Sequence, residues 1–302
     1  MRRLVLVFLD GVGIGPDDAD SNPFLQAELP WLRGALGGIP TLEQPELQGP
    51  GAVAFPLDAL LDVEGIPLSG TGQTSLLTGR NAAQLFGRHF GPWTPVSLRT
   101  MLAEENVLRR ALDAGFSVAF ANAYPEDWPT GRAARWPAAP PLAARSAGLL
   151  TRHSEHLARG EAVASEIENE RWRKHLGPGD LPRVSPTDAG TNLAGISAET
   201  RLTFFAHYTT DYAGHRAAMG GCVRALRRVD RFLGALAAAD PEALVLITSD
   251  HGNIEDVREG HTRNPTLGLA AGPGAAEFRG ELSSIMDVPR AVLAWLGAAE
   301  RH

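Results

Sequence analysis

Cysteine is nearly absent from this chain of 302 residues. Cys222 stands alone, so no intrachain disulfide can form and a cysteine-rich zinc module is excluded. That usage fits a reducing compartment. Lysine is as scarce, with Lys174 the single example among 28 basic side chains. Acidic residues number 35, and the formal net charge of -7 argues against nucleic acid as a partner, because binding a phosphate backbone needs a basic surface. A small anionic substrate held through metal ions remains compatible with that balance. Near the N-terminus, Arg2 and Arg3 precede an apolar run, Leu4 to Leu9. It holds only six residues before Asp10, short of a signal-peptide core and far short of a membrane span. We therefore expect a cytoplasmic protein that does not engage a membrane. What is present, 44% hydrophobic and 21% charged residues, describes an ordered globular chain with one large domain or two modest ones.

Short apolar runs punctuate the chain. Leu4–Leu9, Ser117–Ala123, Leu202–His207, Ala243–Thr248 and Thr266–Ala271 read as buried strands. Helical patterns alternate with them: Arg99–Ala114, stopped by Gly115, then Arg216–Ala239, and Val288–Leu296 with Pro289 in its first turn. Such alternation predicts an α/β fold whose sheet is largely parallel and covered on both faces. Two stretches break the rhythm. Residues 34–67, rich in glycine and proline, read as a long connection with short pieces of structure. Residues 125–199 begin with proline, alanine and arginine, continue into a polar helix from about Thr151 to Lys174, and reach Gly177-Pro178-Gly179. We read 125–199 as a small insertion or cap, and 1–124 with 200–302 as the core.

The reactive side chains gather at strand ends. Asp10 follows the first run, Asp211 and His215 lie just beyond the third, Asp250 and His251 follow the fourth, and His261 precedes the last. In an open α/β sheet the carboxyl ends of parallel strands form one edge, where ligands bind. Singly, each residue has an ordinary reading as a helix cap, a turn residue or polar surface. Six of them on one edge point instead to divalent metal. Asp211 and His215, four apart, face one way if they open a helix, and Gly252 lets the adjacent Asp250 and His251 share a turn. Mixed oxygen and nitrogen ligands suit manganese, zinc or iron over a purely magnesium or calcium site. So many ligands predict two ions. The segment Pro67 to Arg80 starts with hydroxyls and glycines, as a helix N-terminus that favours phosphate. Ser69 or Thr71 at that start is a candidate nucleophile, with N-capping the plainer role for Ser69. Two nucleotide motifs fail. Pro16 stands where G-x-G-x-x-G needs its third glycine, and Thr71 stands where a P-loop needs lysine.

These residues together resemble the alkaline phosphatase superfamily, most closely the metalloenzyme branch of cofactor-independent phosphoglycerate mutase and phosphopentomutase. The resemblance rests on Asp10-Gly11, the Ser69-to-Arg80 segment, Asp211-x-x-Gly214-His215, Ser249-Asp250-His251-Gly252-Asn253, His261-Thr262-x-x-Pro265 and Ser284-Ile285-Met286-Asp287-Val288-Pro289. It spans nearly the whole chain outside 125–199. It implies a three-layer α/β/α sandwich with a mostly parallel central sheet and a small helical insertion. It also implies two divalent ions, manganese or zinc, one on Asp10, Ser69, Asp250 and His251 and the other on Asp211, His215 and His261. Counting back from Arg80, it selects Ser69 over Thr71 as nucleophile.

Asn22, in Asn22-Pro23-Phe24, resembles an early active-site asparagine of the mutases. Arg88 and the arginines Arg132, Arg135 and Arg145 offer bidentate donors for an anionic substrate, against a plainer role in solubility. The chain departs from the mutases at Gln73, where they carry histidine, and in an insertion shorter than the phosphoglycerate mutase cap. The expected function is therefore two-metal phosphoryl transfer, hydrolytic overall, on a small phosphorylated substrate. A phosphoglycerate or phosphosugar mutase and a non-catalytic metal-binding protein are the alternatives. A sulfatase is disfavoured because Thr71 and Gln73 occupy the proline and arginine positions of its nucleophile motif.

Overall fold

Seven strands build one sheet in the computed structural model, which describes residues 1–177, 181–216, 218–258, 260–280 and 282–297, without the Arg132 side chain. They are β1 (Leu4–Leu9), β2 (Leu47–Gln48), β3 (Ala52–Leu57), β4 (Val118–Phe120), β5 (Leu202–His207), β6 (Leu244–Thr248) and β7 (Thr266–Ala271). Their order across the sheet is β2-β3-β7-β6-β1-β5-β4. The block β6-β1-β5-β4 is parallel, while β7 runs antiparallel to β6 and to β3, and β2 runs antiparallel to β3.

Alternation along β1 shows why both faces must be covered. Val5, Val7 and Leu9 enter one apolar core, under the helices Pro186–Ala198 and Met219–Ala239. Leu4, Leu6 and Phe8 enter the other, under Ser69–Thr78, Val107–Asp113, Ala139–Ser146 and Val288–Leu296. Every residue of β1 is buried, as a strand between two helical layers requires. The result is the α/β/α sandwich expected from the sequence. Among the described residues no helix is long and apolar enough to cross a membrane.

Several elements differ from the sequence expectation. The Arg99–Ala114 pattern is two helices, Arg99–Glu105 and Val107–Asp113. Asn106 parts them with ψ 152°, which interrupts the helical ladder. Its Oδ1 accepts from the Arg109 N–H, and its Nδ2 donates to the Leu102 carbonyl at 2.8 Å. Periodicity alone could not see a cap inside an unbroken apolar stripe. Residues 34–67, read as connection, contain β3, a full strand of the sheet. Pro56 masks it, yet β2 pairs with Val53 and Ala54, and among the described residues no strand lies beside Pro56 on that edge of β3. The long helix begins at Met219, and Arg216 closes a separate helix, Thr209–Arg216.

The polar helix expected from Thr151 to Lys174 is two short helices, Ser154–Arg159 and Glu170–Leu176, the first ended by left-handed Gly160. Within 125–199, Ala139–Ser146 joins one helical layer and Pro186–Ala198 the other. Pro178 and Gly179 lie outside the described residues.

The helix break gives a stability prediction. Asn106→Ala removes the buried cap and should cost about 0.5–2 kcal/mol, read as a lower urea midpoint at constant m-value.

Candidate metal centre

Strand polarity brings the candidate ligands together. Asp10 lies at the carboxyl end of β1, Asp250 and His251 just past β6, and Asp211 and His215 on the helix that follows β5. Because β7 is antiparallel to β6, its first residue lies at that same edge, and His261 arrives there through the loop before it. β3 ends there too, with Leu57 beside Thr266, and leads the chain toward Ser69.

Ser69 is the first residue of a ten-residue helix in which every residue is buried. Leu68 holds the capping position, so the Ser69 hydroxyl does not cap; it stands 3.0 Å from His251 Nε2. Thr71, the other candidate, is locked into the scaffold: its hydroxyl donates toward the Leu68 and Phe90 carbonyls and accepts from the Phe90 N–H at 3.1 Å. One turn beyond Ser69, Gln73 Nε2 donates to Asp10 Oδ2 at 3.3 Å. The helix can lie this close because Gly72 has no Cβ; one there would sit 2.7 Å from the Asp250 carbonyl oxygen.

Around His251 the ligands converge. Its Nε2 is 3.4 Å from Asp10 Oδ1 and 3.5 Å from Asp250 Oδ2. Both of those carboxylate oxygens are buried and carry no hydrogen bond among the described residues. Two orphaned oxygens, an imidazole nitrogen and a hydroxyl directed at one locus fit a divalent cation, which would satisfy all four. The second set is equally close: Asp211 Oδ1 to His261 Nε2 is 3.2 Å, Asp211 Oδ2 to His215 Nε2 is 3.5 Å, and the two imidazole nitrogens face each other at 2.8 Å. Ligand atoms of Asp211, His215 and His261 lie within 4.8 Å of one another, and so do those of Asp10, Asp211 and His251. Asp211 is therefore within reach of both sets, a sharing that the sequence reading, with its two separate lists, did not contain.

The charge state reflects the crowding. Burial and then the Asp250 charge push the Asp10 carboxyl well above its ordinary range. Burial would depress His251, but Asp250 and Asp10 outweigh it and raise the imidazole to about 10. Burial likewise works to raise Asp211, yet hydrogen bonding from His261 and the His251 charge hold it at about 2. Burial lowers His215.

The two residues expected to touch substrate differ in placement. Asn22 is fully buried and caps the Pro23–Gln26 helix, accepting from the Phe24 N–H at 3.0 Å and donating to the Pro16 carbonyl at 2.8 Å. Each end of its amide thus has a partner close by in the sequence, and its oxygen serves as the helix cap. Arg88 is exposed and lines a cleft of about 570 Å³ with Ile66, Leu68, His215 and His261. Of the more distant arginines, Arg135 stacks over Trp136 at 5.3 Å, Arg145 is exposed, and the Arg132 side chain lies outside the description. Asn253, the last residue of the Ser249-to-Asn253 motif, supports the cluster from beside it: its Nδ2 donates to Asp211 Oδ1 at 2.6 Å.

Known proteins agree with this architecture. Residues 189–299 match the sequence model of the metalloenzyme superfamily. A 2,3-bisphosphoglycerate-independent phosphoglycerate mutase from Rhodopseudomonas palustris is 33% identical over 116 residues, 34% of this chain and 23% of that enzyme. The chain thus spans less than a quarter of that relative's length. Among solved structures, the PH0037 protein from Pyrococcus horikoshii superposes with a TM-score of 0.60 at 13% identity, covering 100% of this chain and 98% of the other. Alkaline phosphatase from the Antarctic bacterium TAB5 gives 0.52 at 13% identity, covering 99% and 98%. The lipoteichoic acid synthase LtaP from Listeria monocytogenes gives 0.53 at 11% identity, covering 99% and 72%.

The protonation pattern sets a pH dependence. His251 keeps its proton up to about pH 10, and a cation must displace that proton to bind. Affinity for Mn2+ should therefore rise with pH above 7, by about tenfold per unit for each proton released. Calorimetric titration in buffers of different ionisation enthalpy should show net proton release at pH 7. Binding without release would contradict the raised His251.

Proposed function

We propose that this chain, matched by the metalloenzyme superfamily model over residues 189–299, is a two-metal phosphohydrolase of the alkaline phosphatase superfamily acting through Ser69. The observation that carries the reading is the Ser69 hydroxyl, uncapped at a helix start and 3.0 Å from the imidazole of the ligand cluster. Asp10, Ser69, Asp250 and His251 would hold one cation, and Asp211, His215 and His261 the other, with manganese or zinc the ions that this mixed donor set favours. Bound there, the cations would supply the positive charge that activates the hydroxyl and neutralises phosphoryl oxygens.

The chain's own groups do the rest. Arg88, which lines the cleft, offers a bidentate donor to an anionic substrate. Ser69 Oγ attacks phosphorus in line with the leaving oxygen, so one P–O bond forms as the ester P–O bond breaks. Water then cleaves the phosphoserine, and over both halves water has added across the ester. His251, whose Nδ1 meets the Gly252 carbonyl at 3.3 Å, keeps Nε2 turned toward the Ser69 hydroxyl and the Asp10 and Asp250 carboxylates.

A mutase is the second reading, favoured by the likeness to the Rhodopseudomonas palustris mutase. Against it stand Gln73, which reaches Asp10 where the mutases carry histidine, and the modest 125–199 segment. The substrate we infer is a small phosphorylated molecule and not nucleic acid. The cysteine usage favours a cytoplasmic setting.

Three outcomes decide the matter. With Mn2+ or Zn2+, the protein should release inorganic phosphate from a phosphomonoester or diester, and Ser69→Ala should reduce turnover at least 10³-fold, about 4 kcal/mol of barrier, while retaining the wild-type melting curve. Conversion of 3-phosphoglycerate to its equilibrium mixture with 2-phosphoglycerate, or of ribose 1-phosphate to that with ribose 5-phosphate, without free phosphate would establish the mutase instead. Cation binding with no turnover on any phosphate ester would leave the non-catalytic reading.

A further inference from the structure

We propose that Glu255 is the positioning residue that holds both ligand sets in register, acting from outside either set. The inference rests on the cation-binding reading above. Glu255 is fully buried, and its two oxygens accept four hydrogen bonds. Oε2 accepts from the Gly13 N–H at 2.8 Å and the Asn253 N–H at 2.7 Å. Oε1 accepts from the Thr262 hydroxyl at 2.5 Å and from Asn264 Nδ2 at 3.1 Å. With each oxygen doubly engaged, the group is committed to donors within the protein and does not serve as a ligand itself.

The partners are what make this placement informative. Gly13 lies three residues after Asp10. Asn253 follows His251 by two and holds Asp211 through its own side chain at 2.6 Å. Thr262 adjoins His261, and its N–H also donates to the Gly252 carbonyl at 3.0 Å. One carboxylate thus touches the three loops that carry Asp10, the Asp250–His251 pair and His261, and reaches Asp211 through Asn253. Space has been cleared for it: a Cβ at Gly13 or Gly252 would collide with the Glu255 carboxylate. Losing the group would strand the Gly13 and Asn253 N–H donors in a dry interior and release the loops from one another.

A role of this kind predicts a pattern that neither a ligand nor a general scaffold residue would give. Removing a ligand abolishes one binding step; removing a scaffold residue lowers the melting temperature but leaves the folded protein's affinity intact. Glu255→Ala should weaken both cation-binding steps in parallel, by about 10–100-fold each. Glu255→Gln should recover much of that loss, because an amide oxygen can face Gly13 and Asn253 while Thr262 and Asn264 turn to accept. Thr262→Val should weaken the step that involves His261.

The experiment is titration of the full chain with Mn2+, followed by the electron paramagnetic resonance signal of the free ion, alongside cation-free circular dichroism melts. Wild-type affinity in a folded Glu255→Ala protein would overturn the proposal. If Glu255→Ala does not fold, Glu255→Gln and Thr262→Val decide it: wild-type affinity in both overturns it, and weakened binding by Thr262→Val upholds it. A wild-type protein that binds no Mn2+ would instead refute the cation-binding reading, a separate result.

Discussion

Two carboxylates, Asp10 and Asp250, are buried against the same imidazole nitrogen, and like charges in a dry interior repel strongly unless a positive charge lies between them. In the protein alone, a proton on His251 meets that need, which is why the imidazole is held so far above its ordinary range. Two carboxylate oxygens nonetheless keep no hydrogen bond among the described residues. Much of the surrounding structure can be understood as the means of keeping these groups close: the glycine-paved approach of the Ser69 helix, the Asn253 amide on Asp211, and the Thr210 hydroxyl donating to the Asp10 carbonyl at 2.6 Å.

Topology decides which residues reach that point. Three parallel strands deliver Asp10, Asp211 and Asp250 to a common edge by the ordinary rule for open sheets. The reversal at β7 does something different, since an antiparallel strand begins where its neighbour ends. His261 therefore reaches the cluster without a crossover. β3, antiparallel to β7, ends at the same edge and brings the chain to Ser69. The mixed character of the sheet is thus tied to the composition of the site.

Much of this was legible in the residues. Strands such as Leu4–Leu9 and Leu202–His207 stand out because they are buried on both faces and so read as continuous apolar runs, and the acids and histidines at their ends show where the edge is. β3 did not stand out, because Pro56 and the flanking glycines look like loop until the strand beside it is known. The break at Asn106 was hidden for a related reason: a cap is a local hydrogen-bonding choice, invisible to a periodicity that continues through it. The cap that Asn22 makes was not legible either, because a motif fixes residue type, whereas hydrogen bonding depends on which backbone groups are nearby. Glu255 lies two residues past the Ser249-to-Asn253 motif, and no spacing or periodicity in the sequence marks it. A charged residue so near an apolar strand end, with Gly13 and Gly252 elsewhere in the chain, gives no hint that all three meet.

Asp211 carries one further consequence. Its carboxylate lies within reach of both ligand sets, so the two ions would not load independently. Filling one position fixes the orientation and charge of a group the other needs, and the two equilibria become one linked system. Linkage then requires reciprocity: whatever factor the first ion imposes on the affinity for the second, the second imposes on the first. Occupancy of such a centre would respond to cation concentration as a pair, and a cell's supply of one metal would tune the retention of the other.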